Sequence, residues 1–182
     1  IAHKAAHLAS RGKRVPVVCY NRALVNYIND LIKRMPFGFH PRKIVVTNFH
    51  LLCSDIRREN GRELTEDEKA INNKSLSRYI DEVLPKIAQS VLRDTSGHNF
   101  SFDAVLIDEG QDFLENWFEV LTECLVENGE LLFTKDAWQN IYEADGKWAD
   151  GEENTKKPSL KFVGRWGEIR TTYRTTPTTI NL

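Results

Sequence analysis

Short apolar runs alternate with amphipathic segments along this chain, and that alternation restricts its fold more than any other feature. The apolar runs are VPVVCY, KIVVTNF, FDAVLIDE and ELLFTKD, at 15–20, 43–49, 102–109 and 130–136. Nearly continuous apolar character is typical of strands buried on both faces of a parallel sheet. The sequence therefore predicts an α/β fold, with a parallel sheet sandwiched between helices.

Helical segments fill the intervals between the predicted strands. Apolar residues recur at helical spacing in 1–11, 23–35 and 113–127, and Gly12 is placed to end the first helix. A further strand is predicted at 167–174, with the start of a helix after it. Because the chain opens within a predicted helix and closes at the start of another, we expect it to be a fragment of a longer protein.

Residues 54–99 differ in composition from the rest of the chain. The first part is polar and charged, whereas 76–92 has helical periodicity with an interruption at Pro85. We interpret 54–99 as a small helical insertion that leaves the sheet. Residues 1–53 and 100–182 then form the main domain.

Bulk composition excludes several classes of protein. Apolar residues make up 41% and charged residues 28% of the chain, as in ordinary globular proteins. The net charge of −1 excludes a generally basic nucleic-acid coat, so any contact with phosphate backbones must come from a local groove. Three cysteines without a CxxC pair predict reduced thiols and a cytoplasmic protein. The lack of an apolar run of membrane-spanning length predicts no membrane partner.

The stretch VLIDEGQDF places three acids, Asp108, Glu109 and Asp112, at the end of a buried strand. Like charges this close repel each other, so the cluster indicates a function rather than a gain in stability. One acid of such a pair can hold Mg²⁺ while the other accepts a proton from an attacking water. The alternative is that Asp108 and Glu109 cap the next helix.

The other predicted strands also end in polar or aromatic residues, in CYNRAL, TNFH and KDAWQ. Ligands of parallel sheets bind beyond the carboxyl ends of the strands, where these stretches would meet. Phosphoryl transfer also needs a group that contacts the terminal phosphate and an arginine that neutralises developing charge. Gln139 and Arg174, each just after a predicted strand, are the candidates for those two parts.

The ordered set of these stretches resembles the UvrD/Rep-like branch of superfamily 1 DNA helicases. VLIDEGQDF resembles motif II, the Walker B variant, while VVCYNRAL and VVTNFHLLC are similar to motifs Ia and Ib. FTKDAWQNIY resembles motif III and IRTTYRTTP motif IV, and the insertion at 54–99 falls where the family carries its 1B subdomain. The resemblance implies a RecA-like P-loop NTPase-type core that uses ATP and Mg²⁺ to move on single-stranded or partly duplex DNA, with RNA a possible partner.

The resemblance also implies roles for individual residues. Asp108 would hold Mg²⁺, Glu109 would polarise the attacking water, and Gln139 would contact the γ-phosphate. Tyr173 would stack on the adenine, and Arg174 would act as a charge-neutralising finger. The residues expected to line the single-strand path are Asn21, Arg22, Thr47, Phe49 and His50. Aromatic faces stack on any base, and short polar groups reach the backbone without sequence preference.

Two of these residues have common structural roles as well. A buried core aromatic is the more frequent role for Phe49, and a structural histidine for His50. Trp138 faces either the strand path or the core. Lys135 stands where the family often has Gly.

The chain departs from the family pattern in two larger ways. The Walker A loop, G-x-x-x-x-G-K-[ST], is absent, and so are the motifs of the second RecA-like core. We therefore expect ATPase activity in the full-length protein and little in this fragment. Two other hypotheses stay open: a non-catalytic nucleic-acid-binding or regulatory module, and a Mg²⁺-dependent nuclease using Asp108, Glu109 and Asp112.

Overall fold

A computed structural model describes residues 1–94 and 99–135 of the chain. The helices are α1 (Ala2–Ser10), α2 (Arg22–Lys33), α3 (Phe49–Glu59), α4 (Glu66–Lys74), α5 (Leu76–Arg78), α6 (Leu84–Asp94) and α7 (Glu115–Glu123). The strands are β1 (Val15–Cys19), β2 (Ile44–Asn48), β3 (Phe102–Asp108) and β4 (Leu125–Phe133). Single 3₁₀ turns occupy Pro41–Lys43 and Gly110–Asp112, and Tyr79–Val83 is a π-helix.

The four described strands form one parallel sheet in the order β2-β1-β3-β4. In the register of the sheet, Cys19 lies opposite both Asn48 and Asp108, and Ile107 lies opposite Phe133. All four strands therefore end at the same edge. The predicted parallel sheet is confirmed for these strands, and the strand predicted at 167–174 lies outside the described residues.

Helices cover both faces of the sheet. On one face, α1 and α2 enclose the side chains of Val17 and Leu106 in a buried cluster. On the other face, α3, α6 and α7 pack over Val105 and Ile107 in a larger cluster. Successive residues of a strand point to opposite faces, so the apolar strand β1 and the apolar residues 104–107 of β3 contribute to both clusters. The chain is therefore an α/β protein whose sheet is flanked by helices, as the apolar strands predicted.

The helix predicted at 113–127 is shorter than expected, since α7 spans only Glu115–Glu123. At its start, Phe113 and Leu114 are extended. At its end, the N–H of Phe102 donates to the carbonyl of Cys124 at 2.8 Å and draws the chain into the sheet. Strand β4 therefore begins before the predicted residue 130, although its regular pairing with β3 resumes at Glu130 after a register shift.

The described part of segment 54–99 is helical and contributes no strand to the sheet. Its helix α6 shares the larger buried cluster with β3 and α7. Pro85 lacks an N–H for the carbonyl of Asp81 four residues earlier, and the π-helix lies just before it. That carbonyl accepts hydrogen bonds from Trp117 Nε1 at 3.0 Å and Asn116 Nδ2 at 3.2 Å. The carbonyl freed at the predicted interruption thus bonds this segment to α7. The domain boundaries stay a prediction.

Within 1–94 and 99–135, no helix combines the length and apolar character needed to cross a membrane.

Two neighbouring leucines of α3 provide a test of the larger buried cluster. Leu52 is 3% exposed and belongs to that cluster, whereas Leu51 is 45% exposed. We expect Leu52→Ala to lower the free energy of unfolding by about 2–5 kcal/mol, because it leaves a cavity in the core. Leu51→Ala, the matched control, should change it by less than about 1 kcal/mol. Urea unfolding followed by circular dichroism measures both, and equal losses would show that α3 does not pack as described.

Candidate active site at the carboxyl edge of the sheet

Asp108 is the last residue of β3, with β1 on one side and β4 on the other. Its Oδ1 accepts a hydrogen bond from Thr134 Oγ1 at 3.0 Å. Thr134 follows β4 directly, and its N–H donates to the carbonyl of Ile107 at 2.9 Å. The carboxylate is therefore held by the adjacent strand at the centre of the polar edge.

Glu109 has a left-handed backbone conformation, with φ of 52° and ψ of 46°. A residue other than glycine costs about 1–3 kcal/mol there and persists only where its surroundings hold it. Gln111, itself buried, donates from Nε2 to Glu109 Oε2 at 2.6 Å. The N–H of Asp112 donates to the Glu109 carbonyl at 3.1 Å. The conformation turns the chain sharply after Asp108, the last residue of β3, so that Glu109 begins the turn beyond the strand.

The structure rejects the alternative that these acids cap the next helix. Helix α7 begins only at Glu115, and its N-terminal flanking residue is Leu114. Glu109 flanks the short 3₁₀ turn Gly110–Asp112, but its side chain makes no capping hydrogen bond there. The pair Asp108 and Glu109 therefore lacks the structural role that could have explained it.

Gly110 allows the acid turn to approach β4. A Cβ atom on Gly110 would lie 1.6 Å from Cε2 of Phe133, which is shorter than any tolerable contact. Its N–H donates to the carbonyl of Thr134 at 2.8 Å. No larger residue fits at this position without displacing the Phe133 ring or the turn.

An open pocket of about 150 Å³ lies beside the two acids and is lined by Asp108, Glu109, Thr134 and Lys135. Carboxylate and hydroxyl oxygens suit a hard cation such as Mg²⁺, which typically takes one or two carboxylates and completes its shell with water and phosphate. Across the described residues, no group of three or more His, Cys, Asp or Glu side chains could hold a metal by itself. The pocket therefore fits Mg²⁺ that arrives with a phosphate ligand better than a permanently enclosed ion.

Asp112 does not line this pocket. Burial raises the pKa of its carboxyl group, and the negative charge of Glu109 raises that pKa further. A nuclease needs its acids to converge on one metal site. The structure brings Asp108 and Glu109 together but leaves Asp112 on the turn behind them.

Four of the residues predicted to line a single-strand path lie where their strands end. Asn21 is exposed and caps α2 through a hydrogen bond from the N–H of Ala23 at 2.9 Å, and Arg22 is exposed beside it. Thr47 is 4% exposed at the end of β2. His50 is partly buried in the first turn of α3. Asn21 and Arg22 are accessible to a ligand, whereas Thr47 is nearly covered.

Phe49 is fully buried, so a nucleobase could stack on its ring only after the core rearranged. Its ring stacks on Trp117, with 4.6 Å between centroids and planes 16° apart, and meets Phe113 edge-on. Of the two roles considered for Phe49, the structure shows that of a buried core aromatic.

His50 lies between the aromatic cluster and Asp81. Its ring meets Trp117 edge-on at 4.8 Å, and its Nε2 lies 3.9 Å from Asp81 Oδ1. Burial lowers the pKa of His50, although the negative charge of Asp81 opposes that shift. Nε2 is buried without a hydrogen-bond partner among the described residues. The ring of His50 thus packs on Trp117, in the structural role rather than as an accessible ligand.

The remaining predicted site residues lie outside the described residues. They are Gln139, Tyr173 and Arg174, together with Trp138. Conversely, the structure adds Thr134 and Gln111 to the candidate site, and neither was predicted from the sequence. Gln111 lies within the acidic stretch VLIDEGQDF, so its position in the sequence could have indicated a role at the site. Thr134 only follows an apolar strand, so its contact with Asp108 depends on strand order that the sequence does not state.

No protein-family model, curated protein or solved structure matches this chain. Assignment of a function therefore depends on the motif-like stretches and on the geometry of the strand ends.

Two glycines provide a test of the acid turn. Gly110→Ala should destabilise the protein by about 1–3 kcal/mol or more, because the new methyl group overlaps the Phe133 ring. Gly38→Ala is the matched control, since a Cβ atom there meets nothing within 4 Å. Chemical denaturation of both variants measures the difference. If Gly110→Ala were as stable as Gly38→Ala, the close approach of the turn to β4 would be wrong.

The three cysteines should be unreactive in the folded protein. All are buried, and burial raises the pKa of Cys19 to about 11 and of Cys124 to about 12. For Cys19 the negative charge of Asp108 adds to the effect of burial. Thiolate is the reactive form, so Ellman's reagent at pH 8 should detect almost no thiol until denaturant is added, and then three. A fast-reacting thiol under native conditions would contradict the described core.

Proposed function

We propose that this chain is part of an ATP-dependent DNA helicase or translocase of the UvrD/Rep-like type, within its first RecA-like core. One observation carries the proposal: the motif-like strand ends lie along one edge of one parallel sheet, with Asp108 at the end of its inner strand β3 and Glu109 directly after it. Ligands of parallel α/β sheets bind beyond this edge. The all-parallel sheet covered by helices is consistent with a RecA-like core.

The two acids have separate roles in this proposal. Asp108 is a ligand of Mg²⁺, which when bound neutralises charge on the nucleotide phosphates. Glu109 accepts the proton of the attacking water, whose oxygen bonds to the γ-phosphorus as the bond to the bridging oxygen of ADP breaks. Gln111 holds Oε2 of Glu109, which limits rotation of the carboxylate. Both acids line the same pocket, as these roles require.

The remaining parts of the reaction are proposed from the motif resemblance alone. Gln139 contacts the γ-phosphate, Tyr173 stacks on the adenine, and Arg174 neutralises charge as the phosphoryl group transfers. The phosphate-cradling loop G-x-x-x-x-G-K-[ST] does not occur in these residues, and the resemblance implies that a longer protein supplies it together with a second RecA-like core. Turnover therefore belongs to the full-length protein.

Single-stranded DNA is the proposed track, with RNA as a possible alternative. Asn21 and Arg22 are exposed at the edge that carries the acids and can reach a phosphate backbone. Because the net charge is only −1, binding depends on such local groups rather than on the overall field. Phe49 is a core residue that supports the edge from behind, and base stacking is not assigned to it.

The test is steady-state ATP hydrolysis by the full-length protein with single-stranded DNA. Glu109→Gln should retain ATP binding but lower turnover by about 10²–10⁴-fold, since the amide cannot accept the proton. Glu127→Gln, an exposed site within β4, is the matched control and should leave turnover unchanged.

The outcomes separate the proposed motor from the other hypotheses. Nucleotide binding without hydrolysis in the unmodified protein would favour a non-catalytic nucleic-acid-binding or regulatory module. Cleavage of DNA without nucleotide, abolished by Asp108→Asn, would favour a nuclease. Near-normal hydrolysis by Glu109→Gln would remove Glu109 from the proposed role.

A further inference from the structure

Thr134 directly follows β4 and lies beside the end of β3. Its hydroxyl group is within hydrogen-bond distance of Asp108, the candidate metal ligand. Oγ1 is 3.0 Å from Asp108 Oδ1 and 3.2 Å from the carbonyl oxygen of Ile107. A hydroxyl group has one proton to donate, and a carboxylate binds that proton more strongly than a neutral carbonyl. The hydroxyl group of Thr134 therefore donates to Asp108.

The backbone of Thr134 keeps this hydroxyl group in place. Its N–H donates to the carbonyl of Ile107 at 2.9 Å, and its own carbonyl accepts the N–H of Gly110 at 2.8 Å. One residue thus bonds to the strand before the acids and to the turn after them. The hydroxyl group is positioned before any ligand arrives, so its bond to Asp108 costs little further ordering.

The hydrogen bond makes the two carboxylate oxygens of Asp108 unequal. Oδ1 is occupied by Thr134, and rotation of the carboxylate about its Cβ–Cγ bond would break that bond. No described residue donates to Oδ2. Asp108 and Thr134 line the same pocket, and Oδ2, which keeps both of its lone pairs, is the less engaged oxygen for a ligand there.

We infer that Thr134 is a positioning residue for divalent-cation binding by Asp108. The inference rests on the proposed function, and the motif resemblance assigns no role to Thr134. Groups that hydrogen-bond to metal-binding carboxylates fix the orientation of the ligand, and their loss typically weakens metal affinity or activity by about 10–100-fold. Thr134 donates such a hydrogen bond to the carboxylate of Asp108.

Because the pocket suits a cation that arrives with a phosphate ligand, the experiment measures Mn²⁺ binding to the full-length protein saturated with a non-hydrolysable ATP analogue, by electron paramagnetic resonance. Thr134→Val keeps the shape of the side chain but removes the hydroxyl group, and it should weaken Mn²⁺ affinity by about tenfold or more. Thr134→Ser keeps the hydroxyl group and should stay within about twofold of the unmodified protein. Thr122→Val is the matched control, because that hydroxyl group donates to the Glu119 carbonyl in α7 at 2.8 Å, and its loss should not change affinity.

A second readout is the Mg²⁺ concentration needed for half-maximal ATP hydrolysis. It should rise in Thr134→Val, while turnover at saturating Mg²⁺ falls less than in Glu109→Gln. A residue that only stabilised the fold would lower turnover without changing the Mg²⁺ requirement. Circular dichroism verifies folding, and Thr134→Ala replaces Thr134→Val if the valine variant does not fold.

Failure of this inference is distinguishable from failure of the proposed function. If Asp108→Asn binds Mn²⁺ as well as the unmodified protein does, Asp108 holds no metal, and both the proposed function and the inference are wrong. If binding depends on Asp108 but Thr134→Val binds normally, only the inference is wrong. Weakened binding in Thr134→Ser would also overturn it, since the hydroxyl group is retained in that variant.

Discussion

The parallel pairing of β3 with both β1 and β4 is the constraint on which the rest of the structure depends. A strand with neighbours on both sides has its backbone groups bonded and its side chains buried, and residues 104–107 of β3 are accordingly apolar and at most 1% exposed. The polar groups that could bind a ligand lie at the carboxyl end of the strand. That is where Asp108 and Glu109 lie, and the adjacent strand delivers Thr134 to the same point. The buried residues of β3 therefore stabilise the sheet, while the acids at its end are available to the candidate site.

The aromatic cluster behind the edge connects the sheet to the helices. Trp117 stacks on Phe49 and on Tyr20, and its Nε1 donates to the carbonyl of Asp81. The polar end of the indole is thereby satisfied, and its apolar ring completes the core. Since Pro85 has no N–H to offer that carbonyl, a local break in one helix supports the packing of another.

Much of the fold could be predicted from the sequence, because periodicity and apolar continuity are local signals. They located all four described strands and the interruption at Pro85. The end of α7 was missed because it depends on a distant contact, the hydrogen bond from Phe102 to the carbonyl of Cys124. At the site, the adjacent acids could be recognised from the sequence, because their mutual repulsion is unfavourable unless a function requires them. Thr134 could not, since a threonine after a strand is ordinary until the neighbouring strand is known.

The contact between Gly110 and the ring of Phe133 has a consequence for how this chain can vary in evolution. The ring of Phe133 fills the space that a Cβ atom on residue 110 would need. A side chain at 110 becomes acceptable only when the ring at 133 is replaced by a smaller group, whereas a smaller group at 133 alone leaves a cavity beside the turn. Among descendants of this chain, a larger residue at 110 is therefore expected only together with a smaller residue at 133.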